Sequence, residues 1–499
     1  MHKARSLFAL SFACANAGCG TEVALAVYPV PADAGVPGLP EKPPQCGSTK
    51  LIDRLSYGAV PLPEAVRYKR TGYFFGLPQD DRIAFSMLNN HVGMVAWVNS
   101  SGTTVHVTFL AVGPDSISRV GADVPVDGTE LSGLVALDDG FALLTRRPDI
   151  GEPIGPGMTQ EQATFLVRWQ NGGVTFAVPL TGTRSIVNVS DLALKRDFPN
   201  PVTGYPNPLS GRLAFNGSHF GAYFSVRGGV GDAHGLDSHA DKFVEVDQSG
   251  QYVGGWRMGC RQSLGNRLVA EPSGFTAFCM SDGLIDTPGL RYVWGAGSSR
   301  RLASESVTRE GAYVGGNFGS AVKIADGYVI AWASRGVTAG SSVESPIPSY
   351  DLHEPAAIIL DNSGNLIFKD WPFLAPAPRP IRDAVNLHAS PYGDKVLFVW
   401  ETIDSPRFVA SNGYSTGAYG GTHFRLMDTQ GKPASDDEIM PTSIAPNGQD
   451  EIVQLPSGDL LWAYVPEVRD FQMPVTSMAL PSLPPIYEIK FVRLRYCIP

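Results

Sequence analysis

Gly327-Tyr328-Val329-Ile330-Ala331-Trp332 and Gly458-Asp459-Leu460-Leu461-Trp462-Ala463-Tyr464 each open on a glycine and run straight into an apolar stretch that carries a tryptophan. The junction recurs along the chain. Gly93, Gly140, Gly221, Gly274 and Gly393 precede comparable runs at 94–98, 141–145, 222–226, 275–279 and 394–400. Glycine supplies the backbone conformation of a tight turn, and short apolar runs rich in β-branched and aromatic residues form buried strands. Each junction therefore reads as a turn between the first and second strands of a unit, and the intervals between these glycines run from 47 to 81 residues.

A second turn follows in several units: Val246-Asp247-Gln248-Ser249-Gly250, Leu360-Asp361-Asn362-Ser363-Gly364 and Met427-Asp428-Thr429-Gln430-Gly431. An Asp with a Gly three residues later is hairpin chemistry, because the carboxylate caps backbone N–H groups while the glycine takes positive φ. Two hairpins make a four-stranded unit, and such units repeated around an axis make a β-propeller. The expected fold is an all-β propeller of seven blades, within a range of six to eight because the long interval between Gly140 and Gly221 has room for another. An array of β-sandwiches is the competing architecture. The last unit has strands at about 450–465 and 487–496 and lacks a fourth. A segment within 48–75 is expected to supply it, so that the N-terminal segment and the C-terminal strand close the ring. Cys46 and Cys497 stand at the two sides of that joint and are expected to bond, as are Cys260 and Cys279 in the middle of the chain.

Composition agrees with many turns and few helices. The chain has 499 residues, 55 Gly and 40 Pro, and only 17% charged side chains. Its formal charge of −9 and its lack of any basic run longer than Lys195-Arg196 or Arg300-Arg301 argue against a nucleic-acid partner, which needs a basic stripe. At the N-terminus, Lys3 and Arg5 precede the apolar stretch 7–13, which is the pattern of an export signal. Asn16-Ala17-Gly18-Cys19 is a partial lipobox, with Asn16 where Leu is usual. Lipidation of Cys19 would leave four cysteines, an even number suited to an oxidising compartment. Residues 29–44 contain six prolines and read as a stiff extended tether. The expected organisation is a signal peptide over 1–18, a lipid-anchored tether over 19–48 and a propeller over 49–499. The expected location is the cell envelope, anchored to the outer membrane by lipid alone, with secretion after ordinary cleavage as the alternative.

In a four-stranded blade, the loops between second and third strands share one face with the links between blades. These loops look long here, at about 147–162, 228–239, 336–353, 403–421 and 466–485, so function is expected on that face, near the central channel. Arg146, Arg227 and Arg335 stand at loop bases, and His239, His353 and His423 precede the third-to-fourth turns. Together they could bind an anionic ligand, although pairing with acidic neighbours or capping of strand ends is the reading to prefer. Asp232, His234, Asp237 and His239 could hold a divalent cation; otherwise no cofactor is expected. Trp97, Trp332, Trp400 and Trp462 read as core between blades rather than as a sugar-stacking stripe. Nucleophilic catalysis is not expected, because the cysteines are better suited to disulfides than to a thiolate nucleophile.

With its signal, its proline-rich tether and its blade rhythm, the chain resembles the poorly characterised lipoprotein β-propellers exported by GC-rich Gram-negative bacteria. It carries no Trp-Asp repeat, kelch or sialidase signature, so that resemblance assigns no catalytic residue. The expected function is a cell-envelope binding or scaffold module that presents the long-loop face to a protein or glycan. The alternative is a polysaccharide lyase or hydrolase using the histidines and arginines of the same face.

Overall fold

The computed structural model of the chain describes residues 44–67, 82–148, 162–180, 198–199, 211–227, 239–261, 265–280, 290–296, 300–306, 318–334, 337–339, 354–367, 382–409, 414–446, 450–465 and 485–497. Backbone contacts group Pro37–Pro499 as one unit and Met1–Val36 as another, and the second lies outside the described residues. So do the expected signal peptide, Cys19 and most of the tether.

The described strands form seven antiparallel sheets. The first strand, β1 (Leu55–Val66), joins the last sheet. The first sheet is β2 (Ala84–Met87), β3 (Val92–Val98), β4 (Thr104–Val112) and β5 (Ile117–Asp127); the second is β6 (Glu130–Leu137), β7 (Gly140–Pro148), β8 (Gln162–Gln170) and β9 (Gly173–Pro179). In the third, β10 (Phe198–Pro199) and β11 (Gly211–Phe215) both pair with β12 (His219–Arg227), followed by β13 (His239–Asp247) and β14 (Tyr252–Arg261). The fourth runs β15 (Gly265–Glu271), β16 (Gly274–Met280), β17 (Leu290–Ala296) and β18 (Arg300–Ser306), and the fifth β19 (Phe318–Ile324), β20 (Gly327–Ser334) and β22 (Glu354–Asp361). Between the last two, β21 (Val337–Ala339) crosses over to cover the outer edge of β18, which otherwise would be an open template for pairing. The sixth sheet is β23 (Arg382–Tyr392), β24 (Lys395–Val409), β25 (Tyr414–Asp428) and β26 (Glu438–Met440); the last is β27 (Val453–Gln454), β28 (Leu460–Tyr464), β29 (Ile486–Leu494) and β1.

The first strand of each sheet packs against the next: β2 on β6, then β11, β15, β19, β23 and β27, which returns to β2. The hydrophobic clusters lie between successive sheets. One joins Val95, Trp97 and Leu110 of the first sheet to Leu461, Ile489 and Phe491 of the last, and another joins Phe278 and Leu302 of the fourth to Ile330 and Trp332 of the fifth. Sheets packed face to face around a common axis are a β-propeller. Trp97, Trp332, Trp400 and Trp462 are each at most 1% exposed within these clusters. They are core, as expected, because an indole buries more apolar area between two sheets than any other side chain.

Local turn chemistry explains the repeat. Asp247, Asp361 and Asp428 each accept N–H bonds from the residues two and four positions on, and Gly250, Gly364 and Gly431 take φ of 87°, 75° and 79°. Two turn assignments need correction. Gly221 lies inside β12 opposite Ala214, and the turn before it is Asn216-Gly217-Ser218, where the Asn216 amide oxygen accepts from Ser218 and His219. Gly93 likewise lies within β3, opposite Met87. Much of the expected loop 403–421 is also strand, since β24 and β25 extend as a hairpin arm pairing Ile403 with Tyr419 and Phe408 with Ser415.

The ring closes through β1, which pairs antiparallel with β29 from Leu55 opposite Leu494 to Val66 opposite Ile486. Cys46 and Cys497 are disulfide-bonded with Cα atoms 5.1 Å apart. Glu438 accepts the N–H groups of Leu51 and Ile52 at 2.8 and 2.9 Å, so the segment entering the ring is also held by the sixth sheet.

Candidate functional site

The sequences Arg82-Ile83-Ala84-Phe85, Arg212-Leu213-Ala214-Phe215 and Arg267-Leu268-Val269-Ala270 are variants of one another, and each opens or immediately precedes the innermost strand of its sheet. Ring closure turns this repetition into a cluster. Arg82, Arg212 and Arg267 are buried, and they interact electrostatically with one another and with Asp450 and Glu451, the residues leading into β27. All five stand at the start of an inner strand, the end opposite the first-to-second turns. They therefore lie on the face of the inter-blade links.

Each guanidinium is positioned by backbone as well as by charge. Arg82 Nη1 donates to the carbonyls of Ser132 and Gly211, and its Nε lies 3.5 Å from Asp450 Oδ1. Asp450 Oδ2 in turn accepts the Ile83 N–H at 3.3 Å. Arg212 Nε meets Glu451 Oε1 at 3.0 Å. Arg267 donates to the carbonyls of Asn266 and Phe318 at 2.7 and 2.6 Å, with its guanidinium over the Phe318 ring. The strands can approach closely enough for these bonds because Gly133 and Gly211 face each other's sheets: a Cβ on Gly133 would lie 2.6 Å from Leu213 Cβ, and one on Gly211 2.6 Å from Ser132 Cβ.

Burial dominates the electrostatics. It pulls Arg267 down to about 9, against the attraction of Glu451 and with the repulsion of Arg82 adding to it. It holds Arg212 well below the usual guanidinium value, with Arg267 and Arg82 pushing in the same direction. Arg82 is lowered by burial against Asp450 and Glu451. For Glu451, burial favours the neutral acid, but Arg212, Arg82 and Arg267 outweigh it and keep the carboxylate ionised below its usual range. Nearly half of the Glu451 side-chain surface is open, whereas the three arginines beside it are buried. Among the described residues the group holds three guanidiniums, which repel one another, and two carboxylates.

The residues singled out from sequence are distributed differently. Arg146 lies inside the second sheet, paired with Glu130 at 3.0 Å with both side chains buried. Arg227 and His239 are opposite each other across β12 and β13, but their side chains lie outside the described set. So do Arg335, His353, Asp232, His234 and Asp237 altogether. Cys279 is disulfide-bonded, and the Cys260 side chain is outside the described set. His423 is not on the rim: it is 2% exposed, stacked on Trp400 with centroids 5.0 Å apart.

Around His423 the hydrogen bonds run Thr402 Oγ1 to Nε2 at 3.1 Å and Nδ1 to the Asp437 carboxylate at 3.0 Å, the order of a hydrolase triad. Thr402 is only 4% exposed, so a substrate carbonyl cannot reach it. The first sheet repeats the arrangement, with His106 stacked on Trp97 at 4.4 Å and bound to Glu64 at 2.8 Å. These are blade-stiffening networks.

No family profile matches the chain, and no curated protein matches it in sequence. Among solved structures it is similar to the WD40 β-propeller domain of Doa1 (8% identity, TM-score 0.33, 85% of this chain and 96% of that one). It is also similar to the Aleuria aurantia lectin in complex with Fucα1-6GlcNAc (11% identity, TM-score 0.34, 77% and 98%). A third is the Bombyx mori GH32 β-fructofuranosidase with sucrose (10% identity, TM-score 0.30, 72% and 63%), of whose length this chain spans less than two thirds.

Proposed function

We propose that the chain is a binding module of the cell envelope that takes an anionic group of a protein or glycan partner at the arginine-lined mouth of its axial channel. The observation that supports this is the convergence of Arg82, Arg212 and Arg267 from three different inner strands on one buried location. Holding three guanidiniums together is costly for folding, and a group retained beside the half-open Glu451 is explained by a ligand whose charge they attract. In this reading the seven sheets act as the blades of one seven-bladed ring. A lipid on Cys19 and the proline-rich segment carry the ring away from the outer membrane.

The test is calorimetric titration of the purified chain with acetate, sulfate, phosphate and D-glucuronate at constant ionic strength. At least one anion should bind, and Arg267→Gln, which removes one positive charge from the group, should weaken it by about tenfold. Equal binding by wild type and Arg267→Gln, or no binding by any of the four, would overturn the proposal.

A further inference from the structure

Asn216-Gly217-Ser218 forms the turn between β11 and β12, on the face opposite the inter-blade links. The Asn216 amide oxygen accepts three hydrogen bonds, from the Ser218 N–H and hydroxyl at 3.0 Å each and from the His219 N–H at 2.8 Å. Two of these donors are backbone N–H groups, so the atom they meet is the amide oxygen and not its nitrogen. These bonds fold the side chain back over the peptide that follows it. That peptide is open to approach: Gly217 is exposed with φ of 97°, a Cβ there would meet nothing within 4 Å, and its N–H makes no hydrogen bond among the described residues. An asparagine side chain held beside such a nitrogen can cyclise. The Gly217 nitrogen attacks Asn216 Cγ, the carbonyl opens to a tetrahedral oxyanion, and collapse expels the side-chain nitrogen as ammonia, the glycine amide proton reaching it through solvent. Water then opens the resulting succinimide to aspartate or isoaspartate. One water enters and one ammonia leaves, and nothing is oxidised or reduced. Negative charge develops on the same oxygen that Ser218 and His219 already address, and donors aimed at a developing oxyanion lower its barrier.

A second Asn-Gly step supplies the contrast. Asn171-Gly172 joins β8 to β9, and Asn171 is exposed with φ of 50°. Its N–H donates to the Asp139 carbonyl at 3.0 Å, but its side-chain oxygen accepts no hydrogen bond among the described residues. The product is also accommodated at position 216. Asp247 caps the turn between β13 and β14 in the same way, accepting the Ser249 N–H at 2.8 Å and the Ser249 hydroxyl at 2.7 Å, so an aspartate at 216 keeps its donors. An isoaspartate instead adds a methylene to the main chain, next to Phe215 and Phe220, whose ring centroids lie 4.8 Å apart. We infer that Asn216 is a self-modification site: the folded turn drives its conversion, through a succinimide, to an acidic residue ahead of the step at Asn171, so that the chain gains a negative charge with age.

The experiment incubates the purified chain at mildly alkaline pH in heavy-oxygen water, digests it with trypsin and follows uptake of the label by mass spectrometry. The peptide bounded by Arg212 and Arg227 reports Asn216, and the one bounded by Arg168 and Arg184 reports Asn171. In the folded chain the Asn216 peptide should gain label at least about tenfold faster than the Asn171 peptide. Ser218→Ala, which removes one of the three donors from an exposed position, should slow Asn216 by about tenfold, less than a buried oxyanion donor is worth because this turn is solvated. In guanidinium, where the turn is lost, the two wild-type peptides should react at similar rates. Should Ser218→Ala alter the circular dichroism spectrum, that comparison of folded and unfolded wild type carries the test alone. Asn171 reacting as fast as Asn216 in the folded chain, an Asn216 rate untouched by a folded Ser218→Ala, or the same preference in the unfolded chain would each overturn the inference.

Discussion

Removing the Cys46–Cys497 bond should destabilise the ring more than any other single covalent change. The two cysteines are 451 residues apart, so the bond restricts nearly the whole unfolded chain. In the chain-entropy description, a loop of that length removes about 20 cal/mol/K from the unfolded state, roughly 6 kcal/mol at 25 °C, while disulfides in practice contribute about 2–5 kcal/mol. The non-covalent clasp remains in the variant: β1 still pairs with β29, and Glu438 still holds Leu51 and Ile52. A Cys46→Ser, Cys497→Ser double variant is therefore expected to fold and to lose about 3–6 kcal/mol. With an unfolding entropy of about 2 cal/mol/K per residue, that corresponds to a fall of roughly 3–6 °C in Tm. Guanidinium unfolding followed by tryptophan fluorescence reads the transition, because Trp97, Trp332, Trp400 and Trp462 are all buried between sheets. The double variant is preferred to added reductant because Cys279 is also disulfide-bonded. A loss below about 1 kcal/mol, a small fraction of what the loop length predicts, would refute the idea that this bond closes the ring.

Further outcomes follow from the geometry. Gly133→Ala places a methyl 2.6 Å from Leu213 Cβ and 2.7 Å from its backbone nitrogen; the expected cost is about 1–3 kcal/mol in urea unfolding, whereas Gly173→Ala, with open space around it, should stay within about 0.5 kcal/mol. Asp437→Ala deprives buried His423 of its partner and should cost about 1–3 kcal/mol without changing anion affinity, which separates the blade network from the axial site. On Glu271, burial favours the neutral acid, but hydrogen bonds from Lys323, Tyr328 and Thr276 outweigh it and set the carboxyl below its ordinary value. Its stabilising contribution is thus present above the unfolded carboxyl value and is lost as pH falls through the lower folded one. Stability of Glu271→Gln measured between pH 5 and 3 should depend less steeply on pH than that of the wild type; an unchanged slope would contradict the assignment.

Local patterns in the chain carry local structure. Asp361 and Gly364 define a turn within five residues, since the carboxylate finds its N–H partners two and four positions on. The apolar runs after Gly140 and Gly327 form second strands because such runs have nowhere else to be buried. The same locality explains the errors. Gly221 reads as a turn residue from spacing alone, while the Asn216 side chain three residues before His219 in fact caps the bend. The segment 403–421 reads as a loop because of Ser405, Pro406 and Gly413, yet cross-strand pairing carries the hairpin well past Ile403.

The axial site is a different case. Arg82, Arg212 and Arg267 repeat within one short pattern, Arg followed by Ile or Leu and then Ala or Val. That repetition was visible in the sequence and could have marked the inner strands. Nothing in it reveals that residues up to 185 positions apart interact electrostatically, or that Asp450 and Glu451 join them from the far end of the chain. Of the histidines and arginines nearest the long loops, Arg146 and His423 are committed to partners inside their own sheets. By itself the sequence determined the strand rhythm, the capped turns and the two cysteines that flank the closure, because these depend on neighbours along the chain. Only the tertiary structure decided which charges share one desolvated space, because that depends on bringing the first strands of all the sheets around a single axis.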